Sequence, residues 1–262
     1  MDAVARFTEL VSAREPALDR TSLALAAGGL PGLDESRWLG ELDRLAEGVD
    51  SRDALLERLF VQERFTGNAA DYYDPRNSLL PHVLGRRLGI PITLAVVCIE
   101  VGRRAGIALH GVGMPGHFLV GAGSGDDAGA DTVLVDVFDG GRLLDATGAE
   151  ARFHEIAGPD APFGPQLLAP ASTRAILARM LENLRGIYRA RRRPGDLEWV
   201  LRMRMALPGA GPAELVELAG ALGEQARWHE GAALLERHAP SVEPQLRERL
   251  LILAKVQRAH LN

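Results

Sequence analysis

A histidine and an aspartate on neighbouring apolar segments are the first sign of chemistry in this 262-residue chain. His117 follows Pro115-Gly116 and precedes Phe118-Leu119-Val120, while Asp136 lies between Val135 and Val137. Both segments read as short strands, and a carboxylate in a half-buried strand needs a partner. A His117–Asp136 contact across adjacent strands satisfies both residues. Such a pair is a retained catalytic relic, a ligand-binding dyad or a structural contact, and the residues alone leave these open.

A nucleophile to go with that pair is harder to find. Cys98 is the single cysteine, which rules out an internal disulfide framework. It sits among Val and Ile in an apolar run, where burial raises a thiol pKa, so it reads as a small core hydrophobe. Thr93 and Ser78 carry hydroxyls, which need a base within hydrogen-bond reach. Ser78 reads first as a helix cap, and Thr93 as a backbone-bonded or core residue. His110 and His117 can face each other across a hairpin, but no Cys-x-x-Cys, His-Glu-x-x-His or carboxylate cluster completes a metal site. The glycine-rich stretch 121–131 (GAGSGDDAGAD) carries acids where a phosphate needs amides and cations. No metal and no cofactor are expected.

The elements that must position these residues follow from periodicity. Val4, Phe7, Leu10 and Val11 recur at helical spacing. A short apolar segment, 21–27, ends at Gly28-Gly29. Asp34-Glu35-Ser36 opens a helix bearing Trp38, Leu39, Leu42 and Leu45, and Ser51 is a natural N-cap for a helix over 52–64 with Leu55, Leu56, Leu59 and Phe60 facing inward. Residues 71–78 (DYYDPRNS) are turn chemistry, with Asn77 or Ser78 placed to cap a helix carrying Leu79, Val83, Leu84 and Leu88 and ended by Gly89. Pro91 suits the first turn of the next helix, 91–105, which is apolar on almost every side and therefore buried and central. Arg86-Arg87 and Arg103-Arg104 read as solvated cations at helix ends.

The period then changes to two. Strands are expected at 109–112, 117–120, 132–138 and 142–144, with 121–131 as a hairpin loop, giving an antiparallel sheet packed on the buried helix. Prolines 159, 162, 165 and 170 punctuate a linker. From Ser172 the chain is helical, with Met180, Leu184, Ile187 and Tyr188 on one face and Trp199, Val200, Met203 and Leu207 on another. Pro208 and Pro240 each close a helix 32 residues apart, near the period of a tetratricopeptide-type hairpin.

Composition narrows the function classes. The net charge of -5 argues against a general phosphate-binding surface, and Arg191-Arg192-Arg193 is too short for a nucleic-acid patch. No apolar run is long enough to span a membrane, and the charged N-terminus lacks the apolar stretch of a signal peptide. A cytoplasmic location is expected.

The segment from Asp74 to Val120, followed by 133–141, is similar to the SirB family of bacterial proteins, which pair a transglutaminase-like domain with tetratricopeptide-like helices. Asn77-Ser78, the run Gly89-Ile90-Pro91-Ile92-Thr93-Leu94, the Gly106-Ile107 step, Pro115-Gly116-His117-Phe118 and the run VDVFDGG over 135–141 occur in the family's order. The resemblance takes in roughly residues 40–260. It implies an α+β fold whose active-site plan resembles papain: a Cys opening the buried helix, a His on a following strand and an Asp on the next. His117 matches the His and Asp136 the Asp. Counting back about 15 positions from Gly106 to the family's cysteine reaches Pro91. Cys98 lies 98 − 91 = 7 residues further along, roughly 10 Å at the rise of a helix, and beyond the field of its N-terminus. The resemblance also places Asp74 and Asn77 at the rim of the His117 cleft, although a proline turn and a cap account for both.

Two parts are therefore expected: N-terminal helices with the transglutaminase-like domain (1–158), a linker (159–170) and tetratricopeptide-like helices (171–262). The favoured function is a non-enzymatic binding or regulatory protein that contacts a protein partner through its C-terminal helices. The alternative is a hydrolase or acyl-transfer enzyme using His117 and Asp136 with an unconventional nucleophile or an activated water. A structural dimer built through the C-terminal helices is a third reading. Neither membrane nor nucleic acid is expected as a partner.

Overall fold

The computed structural model describes residues 2–123 and 133–260, so the expected hairpin loop lies outside the described residues. Two compact units result: one runs from Ala13 to Met180, and the other joins residues up to Ser12 with those from Leu181 onward. The first helix, α1 (Ala3–Ser12), which buries Phe7 and Val11, thus groups with the C-terminal helices.

In the first unit, helices α2 (Leu18–Ala27), α3 (Glu35–Ala46) and α4 (Arg52–Leu56) come early, and α4 continues as a π-helical stretch to Gln62. The Asp34 side chain accepts from the amides of Ser36 and Arg37, and Ser51 Oγ accepts from Ala54, so both expected caps are present. Next come β1 (Thr66–Gly67), α5 (Leu80–Arg86), β2 (Leu88–Gly89) and α6 (Pro91–Arg104). Two expectations change here. Helix α5 ends at Arg87, whose φ of 60° is left-handed, and Gly89 instead pairs with Gly67 in a parallel β1–β2 ladder. Neither Asn77 nor Ser78 caps α5: both lie in a 3-10 turn over Pro75–Ser78, capped by Asp74 and entered through Pro75.

Helix α6 is the central helix. Eleven of its residues, from Pro91 to Gly102, are buried, and it packs against α2, α3, α4 and α5 as well as the sheet. That sheet has β3 (Leu109–Val112), β4 (Leu119–Ala122), β5 (Leu134–Asp136), β6 (Arg142–Leu144) and β7 (Pro170–Ala171) in the order β6-β5-β4-β3-β7, every pair antiparallel. The fold is therefore α+β.

Two strands are shifted or shortened for local reasons. His117 lies outside β4 because Met114–His117 is a turn: the His117 amide donates to the Met114 carbonyl at 3.2 Å, with Pro115 second and Gly116, at φ +74°, third. That is the residue pattern of a type II turn, which needs a positive φ at its third position. Strand β5 stops at Asp136 because its side chain captures the next two free amides. Helix α7 (Ala146–Ala157), capped by Asp145, lies where the sequence reading placed no element. The proline-rich stretch 159–170 stays within the first unit, since Pro170 and Ala171 pair with Val112 and Gly111, and Phe163, Leu167 and Leu168 pack on the core formed with α7.

The division between units falls within α8 (Thr173–Ala190). Helices α9 (Pro194–Arg204), α10 (Pro212–Glu224), α11 (Trp228–His238) and α12 (Pro244–Ala259) follow, each packed on the next around Leu215, Ala219, Ala232, Leu235, Leu250 and Ala254. Pro208 follows α9, and Pro240 lies in the 3-10 turn after α11, so the regular proline spacing marks two helix ends.

Candidate functional site

The turn that carries His117 is fixed by glycine. A Cβ on Gly116 would collide with Ile156 Cγ2 of α7, and its φ is one that other residues rarely adopt. His117 emerges almost fully buried, with Nε2 3.0 Å from Oδ2 of the fully buried Asp136. The expected pair therefore forms. Asp136 Oδ1 accepts from the amides of Phe138 at 3.1 Å and Asp139 at 3.2 Å. Oδ2 is shared: Arg152 Nε of α7 approaches it to 3.3 Å, while Arg152 Nη1 bonds Glu155 at 2.8 Å. Neither contact has the alignment of a hydrogen bond, so Arg152 meets Oδ2 as an ion pair and His117 meets it as a close polar contact. Burial pushes the Asp136 carboxyl up, but His117, Arg152 and the Asp139 amide outweigh it and hold the group below its ordinary value.

Aromatic rings connect the imidazole to the surface. Phe138 meets His117 edge-on at 6.4 Å, Tyr72 meets Phe138 at 6.0 Å, and Tyr73 meets Tyr72 at 5.3 Å. Tyr72 and Tyr73 are 37% and 70% exposed. Asn77 sets this loop in place from a fully buried position. Its Nδ2 donates to the carbonyls of Asp71 at 2.7 Å and Tyr72 at 3.2 Å, and its Oδ1 accepts from Asn68 Nδ2 at 3.0 Å. Asp74, also buried, accepts from the Arg76 amide and pairs with Arg76 and Arg86. Its role in this geometry is to hold the turn. The Ser78 hydroxyl is buried and has no hydrogen-bond partner among the described residues.

At the start of α6 no thiol is present. Pro91 is the first helical residue, and Thr93 Oγ1 donates to the Asn77 carbonyl at 2.5 Å while accepting from the Ile90 amide at 3.3 Å. The Thr93 hydroxyl is thus committed to backbone. Cys98 has no exposure, and burial pushes its thiol up to about 12. A thiolate is the nucleophilic form, so this sulfur is inert near neutral pH.

The arginines at the ends of α5 and α6 all hold carboxylates: Arg103 is exposed, as expected, whereas Arg86, Arg87 and Arg104 are partly buried. Arg87 pairs with Glu41 and Glu63, each at 2.6 Å. Arg104 and Arg103 pair with Asp19 at 2.7 and 3.0 Å and with Glu100 at 2.8 and 2.9 Å. Glu100, unnoticed in the sequence because it interrupts an apolar helix, is buried and pushed up by desolvation and by Asp19. A cavity of about 680 Å³ opens beside this network and is lined by none of the residues around His117. No group of three or more metal-ligating side chains occurs among the described residues.

Similarity to known proteins agrees with this geometry. The transglutaminase-like superfamily matches residues 34–182. A UPF0162 protein of Xylella fastidiosa (strain Temecula1) is 47% identical over 133 residues, 50% of this chain and 46% of that protein. This chain thus spans about half the length of such Xylella relatives. A UPF0162 protein of Pseudomonas aeruginosa is 32% identical over 204 residues, 74% of this chain and 73% of that one. F-box only protein 21 of Homo sapiens is 29% identical over 169 residues, 62% of this chain and 24% of the human protein. No solved structure matches. The chain belongs to the transglutaminase-like superfamily and, within it, to the UPF0162 proteins.

The residues that sequence reasoning missed are Arg152 and Phe138. Phe138 was in view as part of a strand, but nothing in its type or spacing marked it as the ring against His117. Arg152 depends on a helix that was not anticipated.

Proposed function

We propose that this chain is a non-enzymatic, transglutaminase-like binding protein of the SirB type, working in the cytoplasm through protein–protein contacts. In this reading its C-terminal helices, arranged as tetratricopeptide-like hairpins, supply a second contact surface. The observation that carries it is chemical: Pro91 occupies the helix start where the superfamily plan calls for a thiol, and the Cys98 sulfur is sealed and pushed up to about 12. The sharing of Asp136 supports it too. A carboxylate already balanced by the permanent cation of Arg152 does less to strengthen the neighbouring imidazole as a base. The matched region of human F-box only protein 21 makes up 24% of that protein, which fits a module carried within longer chains.

The test is amide- and ester-substrate profiling of the wild type beside His117→Ala. Neither protein should show turnover above buffer. Reproducible turnover that disappears in His117→Ala rejects the proposal in favour of a cysteine-independent hydrolase or acyl-transfer enzyme. One observation favours that second reading: Ser78 keeps a buried hydroxyl without a hydrogen-bond partner among the described residues. If activity exists, loss of it in Ser78→Ala assigns the nucleophile, whereas retention points to an activated water.

A further inference from the structure

Arg179 is a partly buried cation with no carboxylate partner among the described residues. It lies on α8 within the first unit, its guanidinium over the Phe118 ring at 5.4 Å and its Nη1 donating to the Met114 carbonyl at 2.7 Å. Burial lowers the guanidinium from its ordinary value, and Tyr72 is the titratable group among the described residues that acts on its charge. Arginines of comparable burial in this unit behave otherwise: Arg87, Arg104 and Arg152 each hold at least one carboxylate. A guanidinium has five N–H donors in a rigid fork, and one of them is used here. Partial burial of a cation without its counter-charge costs free energy that a bound anion returns.

The location is equally specific. The Met114 carbonyl that receives Arg179 also receives the His117 amide, so Arg179 touches the turn that presents the imidazole. Tyr72, within electrostatic reach of Arg179, is also the ring that meets Phe138, which in turn meets His117. Cation, half-exposed aromatic surface and imidazole therefore belong to one neighbourhood.

We propose that Arg179 is an anion-recognition residue that holds the carboxylate of an acidic peptide segment beside His117, with Tyr72 covering the apolar part of that segment. This rests on the binding function proposed above and names the chemistry of its ligand. A peptide carboxylate fits because a planar fork pairs with it through two parallel hydrogen bonds. The chain's net charge of -5 gives anions no general attraction, so recognition depends on this one cation.

The experiment uses the full chain labelled with 15N-arginine, following the Arg179 Nε–Hε signal by NMR. The probes are glutamate blocked at both ends (N-acetyl, N-methylamide) and the isosteric blocked glutamine. The glutamate probe should give a saturable shift and the glutamine probe none. Affinity, followed in uniformly 15N-labelled protein through the amide signals of Met114 and His117, should fall at least tenfold in Arg179→Gln, whose side-chain amide can still donate to the Met114 carbonyl. Should that variant unfold, Arg179→Lys replaces it, keeping the charge without the fork, with a several-fold loss expected. Equal shifts from both probes, no saturable shift, or undiminished affinity in the variant overturns the proposal. The two readings fail separately. Turnover that needs His117 removes the binding-only function but leaves the carboxylate subsite standing, whereas an unresponsive Arg179 removes the subsite alone.

Discussion

Asparagine at position 136 isolates what the buried charge contributes. The native carboxylate has no exposure and four neighbours: two amides on Oδ1, and His117 and Arg152 on Oδ2. Asp136→Asn keeps an oxygen for the amides of Phe138 and Asp139 and removes the charge facing the other two. Removing one partner of a buried pair costs about 3–5 kcal/mol when the other charge is stranded. Here Arg152 retains Glu155, so the loss should fall to about 2–3 kcal/mol. Hydrogen exchange at the paired residues Val120 and Val135 reads this locally, without requiring the two units to unfold together. At about 1.4 kcal/mol per tenfold, exchange should accelerate roughly 30- to 150-fold. Because the folded-state carboxyl is held below its ordinary value, its stabilisation is present above the unfolded pKa of about 3.9 and disappears as pH falls through the lowered value. The Asn variant should therefore lose that part of its acid sensitivity. Arg152→Met in the same background should recover part of the deficit by removing the weakened cation. An acceleration under threefold, or unchanged acid sensitivity, refutes the electrostatic account of this centre.

Three further outcomes follow. Pro91→Cys should create a thiol more reactive toward iodoacetamide at pH 7 than a free cysteine, its pKa pulled below about 8.5 by the helix start and His117, and a value above that places position 91 away from the pair. Cys98 in the native protein should remain unalkylated under the same conditions and label only on denaturation, as its lack of exposure requires. Gly116→Ala should destabilise by about 1–3 kcal/mol through its positive φ and its clash with Ile156, and adding Ile156→Ala should relieve the clash but not the backbone strain, as seen in thermal melts.

Much of this arrangement could be read from residue order. The all-round apolarity from Pro91 onward located the buried helix, and proline at its first turn was a helix-start signal. His117 and Asp136 stood out because each put a polar group into an apolar strand, and pairing was the inexpensive solution. Arg152 escaped notice because no helix was anticipated over 146–157, and its link to Asp136 exists only once α7 is in place. Ser78 and Asn77 were misassigned as caps since a 3-10 turn and a helix start use the same residues. Asp74 took the capping role, and Asn77 instead braces the tyrosine loop from within. Glu100 illustrates the same blindness: a lone carboxylate in a core helix reads as an interruption until the arginines one turn on and Asp19 from α2 close around it.

The short pairing of Pro170 and Ala171 with Val112 and Gly111 has a practical bearing on how this protein can be divided. Strand β7 shields one flank of β3 from other backbones. Cutting the chain at Gly158, which the prolines invite, strips that shield and leaves main-chain donors and acceptors of β3 ready to recruit a second molecule. A fragment trimmed there would self-associate through its raw edge, and light scattering would report a dimer that owes nothing to the C-terminal helices.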